Sequence, residues 1–280
     1  MKKIIILTIF LFLFDYIFNF FRIESVPINI PHDIFHHHFL PNHSYIRDTE
    51  SWGKYRIITN SLGFRDSVKR EIDLNAKNRI ILIGDSFIEG VLLDYEYTVA
   101  GLLEKYFNKK NIQVLNAGVS SYSPIIYYNK IKHYLENGLQ FSHLVVFIDI
   151  SDIEDEAIYY KHDQSKKVVL GTKLLQQETF NSKNNIRFKI INFLQKNLSI
   201  SYASFKYLDD NVIDRLTRPT EEQFIDSIVS SNFTRDKWTI NQELKKKYEE
   251  GINKSIQNMT LLKKISDEND INLSIVVYPW

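Results

Sequence analysis

The stretch Arg79–Gly90, RIILIGDSFIEG, decides how the rest of the chain is read. Ile80 to Ile83 is a short apolar run rich in β-branched side chains that breaks at Gly84, as a strand buried on both faces does. Asp85, Ser86 and Phe87 follow where a helix would begin. A serine in that place has two physical readings. It is a preferred helix cap, because its short side chain accepts a backbone N–H that the first turn leaves unpaired. It is also a candidate nucleophile, because the N–H groups of a strand-to-helix turn point at it and favour the anionic intermediate of acyl transfer.

On either side of this stretch the pattern alternates. Val99, Leu102, Leu103 and Tyr106 recur at helical spacing, IQVLNAG reads as a second strand turning at Gly118, and Ile125 to Leu135 reads as a second helix after the break at Pro124. HLVVFIDI is a third strand. Leu244, Tyr248, Ile252, Ile256, Met259, Leu262 and Ile265 then mark one face of a long amphipathic helix, and INLSIVVYP reads as a fourth buried strand. Strand and helix in strict alternation imply right-handed crossovers and a parallel sheet covered on both faces. The expected fold is therefore a flavodoxin-like three-layer α/β/α sandwich, with strands in the order 2-1-3-4.

Before this domain, residues 22–78 show weaker periodicity and read as an N-terminal extension, with YRIITNSLGFRD alternating like a strand and turning at Gly63. Within the domain, 79–280, residues 153–240 read as a large insertion with a capping box at Thr220 and Gln223. The insertion leaves the carboxyl end of the third strand, the edge where open parallel sheets bind ligands, so it is placed to serve as a lid or substrate wall. A surface excursion without function is the other reading.

The chain of 280 residues has a net charge of +1 and no concentrated basic patch, which gives no reason to expect nucleic acid. It has no cysteine, which excludes disulfides and thiolate metal sites. Lys2 and Lys3 precede an apolar run from Ile4 to Phe14, broken by Thr8, the layout of an export signal. No small-residue cleavage pattern follows, which favours a signal anchor over residues 1–21 above a cleaved peptide or a buried element. The expectation is an exported protein held to the membrane by its N-terminus and facing the periplasm or exterior.

The residues around Ser86 exclude two common motifs: Ile88 stands where a G-x-S-x-G elbow needs its last glycine, and no lysine follows as in a nucleotide-binding loop. Instead the sequence resembles the SGNH (GDSL-type) hydrolases. GDSFIEG is similar to the family's first block, which implies that Ser86 is the nucleophile. NAGVSSYSP is similar to the second, which implies that Gly118 lends a backbone N–H to the oxyanion hole. FIDISDIED occupies the place of the third block, normally G-x-N-D; Asp152 matches it, whereas Ser151 replaces the asparagine donor and Asp149 the glycine. Asp85 and Asp152 are supporting candidates. No cofactor or metal is implied. The resemblance implies a serine esterase acting on an acyl ester of a cell-surface glycan or lipid. An O-acyltransferase of envelope polysaccharide and a non-catalytic glycan-binding envelope protein are the alternatives.

The family draws its base from a D-x-x-H block after the last strand, and here Trp280 follows that strand directly. The expectation is a chain that stops short of its catalytic histidine and is inactive as it stands. The single D-x-x-H in the sequence is Asp33 to His36, in a region where His32 to His43 are abundant. These histidines read as a loop rather than a metal site, Glu154, Asp155 and Glu156 as an exposed acidic turn, and Tyr159 and Tyr160 as packing.

Overall fold

A computed structural model describes residues 28–49, 53–170 and 242–278, with positions 10, 12–17, 193, 197, 198, 200, 201, 204 and 239. The chain divides into two compact units, Met1–Val26 with Thr172–Phe233, and Pro27–Gly171 with Thr234–Trp280. In the first unit, the buried carboxylate of Asp15 accepts the N–H groups of Ile200 and Ser201 at 2.8 and 2.7 Å. Among the described residues no helix is long and apolar enough to cross a membrane. Most of the Ile4 to Phe14 run, and the capping box at Thr220 and Gln223, lie outside the described residues.

In the second unit, β1 (Asn29–His32) and β2 (His36–Phe39) pair as an antiparallel hairpin. There follow β3 (Ser44–Thr49), β4 (Gly53–Thr59), the two-residue β5 (Arg65–Asp66), β6 (Arg79–Ile83), a one-turn helix α1 (Ser86–Glu89) and α2 (Val99–Phe107). Next come β7 (Gln113–Asn116), α3 (Pro124–Glu136), β8 (His143–Ile148) and α4 (Ile150–Glu154). The latter runs into a π-helical turn at Asp155–Tyr159, before a small hairpin of β9 (Tyr160–His162) and β10 (Val168–Leu170). The long helix α5 (Gln242–Glu268) and strand β11 (Asn272–Val277) complete the unit.

The parallel strands lie in the order β7-β6-β8-β11, the 2-1-3-4 arrangement expected of their sequence order. Period-2 alternation sends Ile80, Leu82, Val114 and Phe147 to one face, where they meet Ile88 and the Ala100 side of α2. Ile81, Ile83, Leu115, Leu144 and Val146 go to the other, against Tyr127 and Ile131 of α3 and Leu262 of α5. Helices therefore cover both faces of the sheet. This explains why β6 carries no polar alternation: each of its residues is buried.

Four sequence expectations need correction. The sheet is mixed, not purely parallel: β5, β4 and β3, from the region read as an extension, add antiparallel strands beside β7 and bring the sheet to seven. β11 is not a buried strand. It pairs with β8 at the sheet edge, and Ile275 and Val277 are 53% and 75% exposed, since an apolar run reports affinity for a core but not a place in the strand order. On α5, Ile256 falls on the apolar stripe yet is 60% exposed, whereas Leu262 is fully buried. Finally, the acidic turn is not exposed: the π-turn carries Asp155 and Glu156 inward, and both are buried.

Candidate active site

The sequence-predicted residues gather on one edge of the sheet. Ser86 follows β6, Gly118 follows β7 and Ser151 follows β8, and these strands are parallel neighbours, so their carboxyl ends emerge side by side. Ser86 is half-buried as the first residue of α1. The cap is the preceding residue: Asp85 accepts the N–H of Phe87 at 2.9 Å, which leaves the Ser86 hydroxyl free of capping duty. Ser86 Oγ lies 3.4 Å from Asp85 Oδ2, its hydrogen-bond partner among the described residues.

Two glycines let α1 settle on the strands. A Cβ on Gly84 would come within 2.8 Å of Ile88 Cγ1, and one on Gly118 within 2.8 Å of Ile88 Cγ2 and 3.0 Å of Glu89 N. Gly118 thus touches the helix that begins with Ser86. Its N–H donates to Asn116 Oδ1 at 3.0 Å, while Asn116 Nδ2 donates to Ile88 O at 2.7 Å, so one buried amide bridges the second block and the end of α1.

Ser151 sits at the start of α4, where Asp149 caps the helix by accepting from the N–H and the hydroxyl of Ser151, both at 2.7 Å. The hydroxyl offered as an oxyanion donor is therefore turned to a carboxylate. Asp152 completes the capping box by accepting the N–H of Asp149, and the Tyr127 hydroxyl donates to it at 3.1 and 3.2 Å.

The edge is crowded with acid groups. Burial pushes the Asp85 carboxyl up, against the pull of the Phe87 N–H and of the Tyr278 hydroxyl, which donates at 2.8 Å. Burial, with the neighbouring carboxylates of Asp149 and Asp85, pushes Asp152 well above the usual carboxylate range. Both shifts have the same main cause, the burial of carboxyl groups at this edge of the sheet. Tyr278, just past β11, also stacks on Phe87 at 4.4 Å between ring centroids.

Sequence reasoning missed the residues that hold this edge together. Arg65, fully buried, donates through its guanidinium to the carbonyls of Glu89 (2.5 Å), Gly90 (2.6 Å), Arg56 (3.2 Å) and Leu93. A cation at the carboxyl end of α1 meets the carbonyls that the helix leaves unpaired. Its one signal was the segment TNSLGFRD, read as strand and turn alone. Asn60, in the same segment, accepts the N–H groups of Leu62 and Phe64 and donates to Asp66 at 2.9 Å.

The histidine-rich hairpin packs on the second block. His37 Nε2 lies 3.0 Å from Ser120 O, and the Tyr122 hydroxyl donates to His37 O at 2.5 Å. Burial pushes His32 and His37 down to about 4 and His38 to about 3. No histidine of the described residues is hydrogen-bonded to Ser86, and no group of three or more His, Asp or Glu among them is arranged to hold a metal ion. Tyr160 packs in the core with its hydroxyl on Ser121 O at 2.7 Å, and Tyr159 packs against the same core.

No family model matches the chain. No curated protein matches it. Among solved structures, it is similar to AlinE4, described as a SGNH-hydrolase family esterase, with 25% identity and a TM-score of 0.23 over 26% of this chain and 41% of that one. Two mutants of the esterase AlinE4 align at 20% and 19% identity, each with a TM-score of 0.26 over 44% of this chain and 56% of theirs. The chain spans about half the length of these structures or less, and at such scores the likeness is confined to a segment.

Proposed function

We propose that the protein is a serine ester hydrolase of the SGNH type with Ser86 as nucleophile. The observation that carries this reading is the meeting of Ser86, Gly118 and Ser151 on adjacent carboxyl ends of parallel strands, in the block order that the sequence presents. Ser86 Oγ would attack the ester carbonyl carbon while a base takes its proton, and the N–H groups of Ser86 and Gly118 would hold the oxyanion. The alkoxide would leave with that proton, and water would then release the acyl group from Ser86. For Gly118 to serve, its N–H must be shared between Asn116 Oδ1 and the oxyanion, and Ser151 must release Asp149 to donate.

The substrate proposed is an acyl ester of a cell-surface glycan or lipid, reached by an exported chain that its N-terminus holds at the membrane. An O-acyltransferase would use the same groups with a sugar hydroxyl in place of water. A non-catalytic glycan-binding protein is favoured by two observations: the Ser151 hydroxyl is committed to Asp149, and no described histidine bonds Ser86. Incubation with an aryl acetate, with and without a serine-directed phosphonate, separates the readings. Hydrolysis blocked by the phosphonate and lost in Ser86→Ala supports the esterase; hydrolysis retained in full by Ser86→Ala ends it.

A further inference from the structure

Lys130, on α3, is fully buried, and among the described residues no carboxylate accepts from its amino group. Its Nζ donates to Ala117 O at 2.9 Å and to the Tyr122 hydroxyl at 3.1 Å. It also lies over the rings of Tyr122, Phe64 and Phe35, at 4.7, 4.9 and 5.5 Å. Burial pushes the amine well below the usual lysine range. Placing an amine here is costly, and an apolar side chain of the same length would pack among the three rings without that cost.

What such a side chain could not do is hold the Ala117 carbonyl. That oxygen belongs to the peptide group whose nitrogen is Gly118 N. The group is planar and trans, so its oxygen and its N–H point in opposite directions and fixing one aims the other. Lys130 grips the oxygen side, and Asn116 Oδ1 takes the N–H on the far side at 3.0 Å. The second acceptor of the amine is anchored in turn, because the Tyr122 hydroxyl donates to His37 O. Donation to the carbonyl also polarises the peptide and strengthens its N–H as a donor.

We infer that Lys130 is a positioning residue that fixes and polarises the Ala117–Gly118 peptide, so that the Gly118 N–H is presented as an oxyanion donor. The inference rests on the esterase reading for its catalytic consequence, but the fixing of the peptide is measurable without turnover. In the full chain, Lys130→Met should move the Gly118 amide resonance and speed its hydrogen exchange at least tenfold, while the amide of Val146 in β8 exchanges as in the parent. Where the parent hydrolyses aryl acetate, kcat should fall at least tenfold with KM within twofold. A folded Lys130→Met protein whose Gly118 amide is unchanged overturns the inference. Should that variant fail to fold, the parent itself decides: scalar coupling across the hydrogen bond from Lys130 Nζ to the Ala117 carbonyl carbon is expected, and its absence overturns the proposal. A form carrying a catalytic histidine that neither hydrolyses esters nor labels with phosphonate at Ser86 ends the esterase reading, and the amide measurements then still decide whether Lys130 sets the peptide.

Discussion

Glu89 Oε2 accepts both the N–H and the hydroxyl of Ser120, at 2.6 and 2.5 Å, joining the last residue of the helix that begins with Ser86 to the loop that carries Gly118. Its other oxygen accepts from Arg47 at 3.2 Å, and the Glu89 side chain is fully buried. Glu89→Gln keeps the shape but replaces one of the two accepting oxygens by an NH2 group, so either Ser120 or Arg47 faces a donor. The expected cost is about 1–3 kcal/mol, read as a lower urea midpoint with an unchanged m-value.

Arg65 should be less replaceable still. Arg65→Lys retains the charge but has no planar fork to reach the carbonyls of Glu89, Gly90, Arg56 and Leu93 together. Buried carbonyls left without donors make a loss of about 2–4 kcal/mol the expected result. Chemical denaturation checks this, and a loss under about 0.5 kcal/mol, the range of ordinary surface substitutions, would show that the fork is dispensable.

Glu156 gives the fold one pH dependence. Burial raises it from 4.5 to about 7, although it accepts the Ile125 N–H at the start of α3 and the side chain of Asn258 at 3.3 Å. Because the folded pKa lies above the unfolded one, its contribution is full below about pH 4.5 and is lost as pH rises through about 7. The shift corresponds to at most about 3 kcal/mol. Glu156→Gln keeps the acceptor and should flatten the stability profile over that window, leaving the variant the more stable protein at pH 8.

The histidine hairpin works in the opposite direction. His32, His37 and His38 fall from 6.5 to about 4, 4 and 3, so their contribution is full above pH 6.5 and is lost as pH falls through about 4. These rings are partly exposed, which limits the effect to about 1–2 kcal/mol each. His37→Gln, whose amide can still donate to Ser120 O, should reduce the loss of stability between pH 6.5 and 4, measured by denaturant midpoints at a series of pH values.

Gly118→Ala tests how closely the blocks fit. A methyl there meets Ile88 and Glu89 N at 2.8–3.0 Å, and backbone cannot yield as a flexible side-chain end does. A loss of about 1–3 kcal/mol is expected, with faster hydrogen exchange confined to α1 and the loop after β7. Exchange unchanged in α1 would show that the glycine is not needed for the contact.

What the sequence determined by itself is local and periodic. The all-apolar run of β6, the spacing of Val99, Leu103 and Tyr106, and Pro124 at the first turn of α3 fixed the succession of strands and helices. Right-handed crossovers then limited the order of the parallel strands and brought Ser86 and Gly118 to one edge. Tertiary structure decided what periodicity does not encode. An apolar run is the same signal at the centre or the rim of a sheet, so the exposure of β11 followed from strand order. The alternation of YRIITNSLGFRD made β4 legible as a strand, but β3 and the two-residue β5 carry little pattern, and the place of all three beside β7 was set only by their partners. Glu156 read as surface, and the sequence singled out none of Arg65, Glu89 and Lys130, because burial of a charged residue is costly unless partners are supplied. Those partners, carbonyls and hydroxyls brought in from distant parts of the chain, exist only once it has folded.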